Sequence, residues 1–576
     1  MEKIDKLSNL RHSLAHLLAA AVMELYPDTK RTIGPAIDNG FYYDFDFSSP
    51  ISDKDLPKIE KQMKGILKTW QSFEKEVVNE DIAKSTFLDN EFKNELITEI
   101  VNKGEEITFY TSGKFTDLCR GGHINNPAKE IKPDCFKLDR VAGAYWRGDE
   151  KNKMLTRIYG LAFENKKELD AYIKQRKEAE KRDHKKLGRE LGLLMFHETA
   201  PGMPYWLPKG LILYKELENY WRKTHADLGY LEIASPLVNK SDLWKISGHW
   251  DHYKDDMFIA DMGENEVYGI KPMNCPNAMI VFKSMQVSYK DLPLRLSDTD
   301  RLHRYERSGV LNGLFRCRSF QQDDSHNYVT EEMIGEEYRK IMEICKEFYG
   351  IFNLEYSFRL GTRPKEYLGD IETWDKAEKA LHDVLEKSGK EYSMADGDGA
   401  FYGPKIDIVM KDAIGRDWQM GTIQLDFQQP RRFELEYTDK DGKKKTPVVI
   451  HRVIYGSLER FIGILIEHTA GAFPLWLSPV QVKVIPVRTN HNEYAKGVFE
   501  MLKENNIRAE FDDAEENLGK KVRDAKNNKI TYWIVIGDKE IEAEKITLES
   551  RDAGQLGQMS KEELVVKLLE EIKNKK

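Results

Sequence analysis

Between Leu302 and His326 the chain reads LHRYERSGVLNGLFRCRSFQQDDSH, and no other stretch restricts the possible folds as strongly. Two arginine clusters flank a glycine-containing connection, and glutamines, aspartates and a histidine follow at close spacing. Arg304-Tyr305-Glu306 offers a guanidinium for a phosphate and a carboxylate for an amino group. Gln322-Asp323-Asp324-Ser325-His326 offers groups for a small cationic substrate and for a metal. Together they describe a place where a nucleoside triphosphate meets an amine-bearing molecule. Neither G-x-G-x-x-G nor G-x-x-x-x-G-K-S/T occurs, so the usual parallel-sheet nucleotide folds are not expected. An antiparallel sheet is the natural alternative.

At 576 residues the chain is too long for one ordinary domain, and about three are expected. No apolar run approaches the roughly 20 residues needed to cross a bilayer. The N-terminal MEKIDKLSNLRHSLAHLLAAAV is interrupted by charges and two histidines, and it reads as an amphipathic helix rather than a signal peptide. Five scattered cysteines argue for a reducing compartment, so a cytoplasmic location is expected. A net charge of −8 neither suggests nor excludes a nucleic-acid partner, because local basic surface decides that. One such surface is Lys166 to Arg189, which lacks proline and is expected to form a long, positive connecting helix.

The expected organisation is a multidomain α+β protein. Residues 1–163 open with a helix. Asn39-Gly40 there is expected to supply the positive φ angles of a hairpin turn, after which Phe41, Tyr43, Phe45 and Phe47 alternate with Tyr42, Asp44 and Asp46. A helix capped by Ser52 runs to Trp70, and FYTSGKFTDLCRGGH and FKLDRVAGAYWRGD read as strands broken by glycine turns. Residues 164–190 form the basic linker. Residues 191–476 mix strands and helices without a βαβ rhythm. Residues 477–576 form a small α/β domain whose last helix starts at the capping box Ser560-x-x-Glu563.

Three segments of the central region line up: a strand ending near Pro236 followed by SDLWKISGHWDHY, the Arg304/Glu306 stretch, and GSLERFIGILIEHTAG from Gly456. In this order they resemble the three signature motifs of class II aminoacyl-tRNA synthetases. IKPMNCP, QQDDSH, GAFYGPKID, GTIQLDFQ and VVIHRVIYGSLERFIGIL, with RHSLAHLLAAAV, GFYYDFD, DLCRGGH and GAYWRGD nearer the start, resemble the threonyl-tRNA synthetase family over essentially the whole chain.

That resemblance implies a class II antiparallel-sheet catalytic domain at 191–476, an α+β editing domain at 1–163 and an α/β anticodon-binding domain at 477–576. It implies activation of L-threonine with ATP, accompanied by Mg2+, and transfer to tRNA(Thr). By resemblance Arg304 takes the α-phosphate, Glu306 the adenine amino group and Arg460 the adenine face and triphosphate, with Arg316 a further phosphate contact. Fixed guanidinium groups suit a reaction that builds charge at phosphorus and on the leaving pyrophosphate. The family's zinc ligands fall on Cys275, His326 and His451, whose wide separation no spacing rule would pair. Asp324 falls on the ammonium contact. Gln322, Tyr402 and Gln424 line the pocket, and Lys405 lies near the carboxylate or phosphate.

Zinc that binds both amino and hydroxyl groups rejects valine but not serine, and one missing methyl is worth only about 1–3 kcal/mol. A second, hydrolytic site is therefore implied. His12 and His16 lie on one helical face, and Cys119-Arg-Gly-Gly-His123 adds a thiol and a third imidazole. By residue type the four resemble a zinc site, as in the related alanyl editing domains. In the threonyl family the resembling domain hydrolyses Ser-tRNA(Thr) without a required metal, with Asp117 and either Tyr42 or Tyr43 nearby. The metal-free reading is the one favoured here.

Some features depart from the family pattern. The editing-like helix begins almost at once, so a form lacking the family's N-terminal β-grasp domain is expected. After Cys275 the usual Pro-Gly-His is Pro276-Asn277-Ala278, and the usual Asn-Glu-Lys of the last domain is Glu515-Glu516-Asn517. Detailed anticodon contacts are therefore open, although Glu540 fits and Lys520, Lys521 and Arg523 keep a basic face. The rival readings are a synthetase for serine or proline, a non-catalytic RNA-binding regulator and a stand-alone editing protein. They conflict respectively with the Cys275/His326/His451 set, the retained Arg304 and Arg460, and the complete central domain. A homodimer is implied by family alone, and no membrane association is expected.

Overall fold

The computed structural model describes residues 2–264, 266–412 and 415–576, with side chains of the first helix given from residue 6 onward. Met1, where the expected first domain starts, lies outside the described residues. Two compact units, Met1–Lys177 and Glu178–Lys576, divide the chain inside the basic segment. That segment is not one helix. It forms Lys166–Arg182 and His184–Glu190, because the Asp183 carboxylate turns back to accept the amides of Lys185 and Lys186 and so caps a second helix.

In the first unit the helix Glu2–Leu25 buries Leu10, Leu14, Leu17, Leu18, Ala21 and Val22, the spacing of an apolar helical face. It packs on the helix Leu56–Leu67 and on a sheet ordered Lys30–Arg31, Gly40–Asp46, Met154–Ala162, Phe136–Tyr145. A second sheet joins Glu74–Val78, Ile107–Ser112 and Phe115–Leu118. Phe41, Tyr43 and Phe45 face the core as expected, but the turn before them is not the expected one. Asp38 and Asn39 connect Ile37 to Gly40, and neither Asn39 nor Gly40 has positive φ. Gly40 is needed for a different reason: a Cβ there would lie 1.9 Å from the carbonyl oxygen of Gly160 on the neighbouring strand.

The second unit is built on a mainly antiparallel sheet. Its order is Leu231–Glu232, Leu294–Asp298, Ser319–Val329, Val448–Ser457, Asp417–Asp426, Lys405–Lys411, Ser357–Gly361 and Tyr392–Ala395. The arginine-rich stretch folds as a hairpin: Arg301–His303 pairs antiparallel with the start of Ser319–Val329, and residues 304–318 form the connection. The helix Leu458–Thr469 buries Phe461, Ile462, Leu465 and Ile466, and Ser457 caps it by accepting the Arg460 amide. The C-terminal sheet runs Ala509–Phe511, Val482–Pro486, Tyr532–Ile536, Ile546–Ser550, Gly554–Met559, parallel in its first three strands and antiparallel after that. Ser560 and Glu563 make the expected reciprocal capping box.

Candidate functional site

Strand register builds the central site. Paired residues on adjacent strands share a face, and His326 pairs with His451, His451 with Gln424, and Gln424 with Lys405. Four residues scattered between positions 326 and 451 thereby form one row across four strands. A second row places Asp298, Asp324, Val453 and Thr422 side by side. Cys275 comes from outside the sheet, at the start of the helix Cys275–Lys283.

Over these rows lies a cleft of about 560 Å³. It is lined by Arg304, Glu306, Arg316 and Arg460 and by Gln322, Asp324, Tyr402, Gln424, Cys275, His326 and His451. Of the residues expected in this site, only Lys405 does not line it. The Lys405 side chain is 12% exposed, and its ammonium is ion-paired to Asp398 at 3.2 Å and Asp407 at 3.1 Å.

The thiol of Cys275 and the imidazoles of His326 and His451 present ligand atoms within 4.8 Å of one another, and all three residues are buried. His326 Nδ1 is buried without a hydrogen-bond partner among the described residues. His451 Nε2 lies 2.8 Å from Asp426 Oδ2, which leaves Nδ1 for a ligand. One sulfur and two imidazole nitrogens are a donor set suited to zinc with open positions. Burial, then repulsion from His451, holds His326 well below the usual histidine range, and burial pushes the Cys275 thiol well up. Asp324 accepts from Asn274 Nδ2 at 3.3 Å and is pushed up to about 6 by burial, against the pull of His451.

The arginine end is pre-shaped. The Arg460 guanidinium donates to the carbonyls of Phe315 at 2.8 Å and Gln419 at 2.6 Å, and lies 5.6 Å from the Trp418 ring centroid. The Arg304 guanidinium lies 5.1 Å from the Phe320 centroid and donates to Pro272. Arg316 Nε donates to Glu306 at 2.9 Å, so residues expected on opposite ends of ATP are paired with each other here. Sequence reasoning missed Asp426, Asn274 and Trp418. Asp426 and Trp418 belong to one strand, Asp417–Asp426, and nothing local in GTIQLDFQ marks the aspartate as a partner of His451.

The first unit holds a second cluster. His12, His16, Cys119 and His123 bring their donors within 4.8 Å of one another. Cys119 Sγ lies 3.5 Å from His12 Nε2 and 3.3 Å from His123 Nε2, and it accepts the Gly121 amide. The adjoining pocket, about 340 Å³, is lined by His12, His16, Tyr43, Lys93, Asp117 and Cys119 among others. Of the two tyrosines, Tyr43 is the one present, donating to Asp117 Oδ2 at 2.5 Å, while Tyr42 lies on the other face of the strand beneath the Arg157 guanidinium.

Asp117 is the hub. Lys93 Nζ lies 2.7 Å and Arg31 Nε 3.1 Å from its Oδ1, and His16 Nδ1 is 3.7 Å from Oδ2. Burial acts to raise the Asp117 pKa, but Lys93 and Arg31 outweigh it and hold the carboxyl well below the carboxylate range. Burial brings His16 down to about 3 and His123 to about 2, and it pushes the Cys119 thiol up to about 11. Lys93 was missed. Its one signal is a charge on the buried face of the helix Glu91–Asn102, one turn from Ile97.

The antiparallel sheet, its arginine-lined cleft and the three motif segments define a class II tRNA synthetase. Residues 258–469 match the family "tRNA synthetase class II core domain (G, H, P, S and T)", 481–571 the "Anticodon binding domain", and 107–159 the "Threonyl and Alanyl tRNA synthetase second additional domain". The chain is 50% identical to Threonine--tRNA ligase of Caldanaerobacter subterraneus over 566 residues, covering 98% of this chain and 87% of that one. It is 51% identical to Threonine--tRNA ligase of Clostridium botulinum over 568 residues, covering 98% and 89%. The chain belongs to the threonine--tRNA ligase family. A solved structure titled as the RNA binding domain of threonyl-tRNA synthetase from Cryptosporidium parvum is 42% identical, with a TM-score of 0.65, over 67% of this chain and 98% of that one.

Proposed function

We propose that this protein activates L-threonine with ATP, transfers it to tRNA(Thr), and hydrolyses Ser-tRNA(Thr) in its first unit. The observation that carries the reading is the cleft in which the buried Cys275/His326/His451 set stands beside Arg304, Arg316 and Arg460.

In this reading Arg304 and Arg316 orient the α-phosphate for in-line attack by the threonine carboxylate, and Arg460 holds the adenine face and triphosphate. Glu306 exchanges its Arg316 contact for the adenine amino group. Asp324 receives the ammonium, and Gln322, Tyr402 and Gln424 close the pocket, with Tyr402 donating to Gln424 Oε1 at 2.6 Å. Lys405 acts from the edge of the row. Cys275, His326 and His451 would hold a zinc ion, which when bound supplies Lewis-acid contacts to the amino and hydroxyl groups of threonine. Mg2+ accompanies ATP.

In the first unit the neutral imidazoles of His12, His16 and His123, with Cys119, position a water against the seryl ester without a metal, beside Asp117 and Tyr43. With its pKa near 3, His16 is a weak base at neutral pH, and that supports positioning over full proton removal. Domain limits at 163, 190 and 476 follow the same reading. Exposed Leu231, Leu237 and Val238 beside the first motif support a homodimer. No helix among the described residues is long and apolar enough to cross a membrane, and a cytoplasmic location is part of the proposal.

Amino-acid-dependent ATP–pyrophosphate exchange tests the reading. Threonine should drive exchange, serine should do so more weakly, and valine not at all. Absence of exchange with threonine would sink it.

A further inference from the structure

His184 opens the second, shorter helix of the basic segment and is buried, with 1% of its side chain exposed. Its imidazole touches both halves of the arginine-lined end of the cleft. Nδ1 lies 2.8 Å from Glu467 Oε1, on the last turn of the helix that carries Arg460. Nε2 accepts the backbone amide of Leu314 at 3.0 Å, in the connection that carries Arg316. An amide N–H can only donate, so Nε2 presents its lone pair and Nδ1 carries the proton given to Glu467. The hydrogen-bond network thus assigns a single neutral tautomer.

The surrounding contacts point the same way. Gly313 has φ +52°, and a Cβ there would lie 2.3 Å from His184 Nε2, so the connection is drawn tight against the ring. The Phe315 ring centroid stands 4.2 Å from that of His184, and the Phe315 carbonyl accepts Arg460 Nε. Lys185 Nζ reaches Asn312 Oδ1 at 3.1 Å, and Arg182 reaches the His468 carbonyl at 3.3 Å. The chain from Arg182 to Lys185 therefore clasps the 312–315 connection and the end of the 458–469 helix together.

We propose that His184 is a positioning residue for ATP. By holding Leu314 and Glu467 at once, it sets the separation between Arg316 and Arg460 without touching substrate itself. This rests on the reading of the cleft as an ATP site.

The two bonds can be separated. Asparagine reproduces the Nδ1 side of the ring and cannot reach Leu314, whereas glutamine places a carbonyl oxygen near Nε2 to accept the Leu314 amide while the backbone amide of residue 184 still donates to Glu467 Oε1 at 3.3 Å. In the full-length protein, His184→Asn should raise KM for ATP in threonine-dependent exchange at least fivefold and leave KM for threonine within twofold. His184→Gln should restore KM for ATP to within twofold of wild type. A Gly313→Ala variant, which forces the ring and the connection apart, should reproduce the His184→Asn effect and serves if His184→Asn does not fold. Wild-type KM for ATP in both His184→Asn and Gly313→Ala would overturn the inference. Equal losses for ATP and threonine, unrescued by glutamine, would also overturn it by reducing His184 to a structural group. If wild type itself shows no threonine-dependent exchange, the proposed function fails instead.

Discussion

Lys93→Met removes one charge from a fully buried pair and keeps the length of the side chain. Lys93 Nζ stands 2.7 Å from Asp117 Oδ1, with side chains 2% and 1% exposed. At an effective dielectric of about 20, two unit charges at that separation attract by roughly 6 kcal/mol. The measured cost of breaking such a pair is about 3–5 kcal/mol, because desolvation has already been incurred. The variant should fall at the lower end, near 3 kcal/mol, since Arg31 at 3.1 Å and the Tyr43 hydroxyl at 2.5 Å still hold the carboxylate. A unit of this size loses about 2–4 °C per kcal/mol, so its calorimetric transition in the full-length protein should drop by about 6–12 °C. Adding Asp117→Asn should cost less than the sum of the two single variants, because the Lys93–Asp117 contact can be lost only once. A single-variant shift under about 2 °C, or strict additivity in the double variant, would refute the buried-pair account.

Acid should weaken the first unit in two steps. The unfolded chain binds a proton at His16 near pH 6.5 while the folded one waits until about 3, so stability falls as pH drops through that window. The Asp117 contribution is present above about pH 4 and is lost below it. His16→Gln should make the upper window shallower in calorimetry at successive pH values, the remaining slope coming from His123, and parallel curves would contradict the assignment. His16→Ala should let Ser-tRNA(Thr) accumulate while threonine-dependent exchange persists, and continued hydrolysis of the seryl ester would remove His16 from the site. His326→Ala leaves two of three donors and should lower zinc content and threonine exchange together, at least tenfold, with nucleotide binding within threefold; zinc retained at wild-type stoichiometry would contradict the ligand set.

Features resting on neighbours in sequence were readable directly. The capping box at Ser560 and Glu563, the apolar face from Leu458 onward, and the pairing of His12 with His16 each need only helical geometry over four residues. Arg304 and Glu306 stand two residues apart in one connection, so their nearness needs no distant contact. Where local signals compete, contacts decide the outcome. Asn39-Gly40 has the composition of a positive-φ turn, yet the glycine is required by the close approach of Gly160 from a distant strand. The proline-free basic segment has the composition of one helix, yet the Asp183 carboxylate found two free amides and stopped it.

The sequence determined the class of protein, the order of its parts and the identity of the chemical groups, because motif residues and amphipathic periods are written along the chain. Only the tertiary structure decided which groups meet. His326 and His451 converge because the antiparallel register aligns 326 with 451 and 451 with 424, and a one-residue slip would turn each row to the opposite face, while Cys275 reaches them through the packing of its own helix, by Met279 and Phe282, on Leu296, Tyr328 and Val449 of that sheet. That register is set by burial of the whole sheet, not by any segment of it. Lys93 meets Asp117, and His184 meets Leu314 and Glu467, for the same reason: contacts across 24, 130 and 283 residues follow from packing.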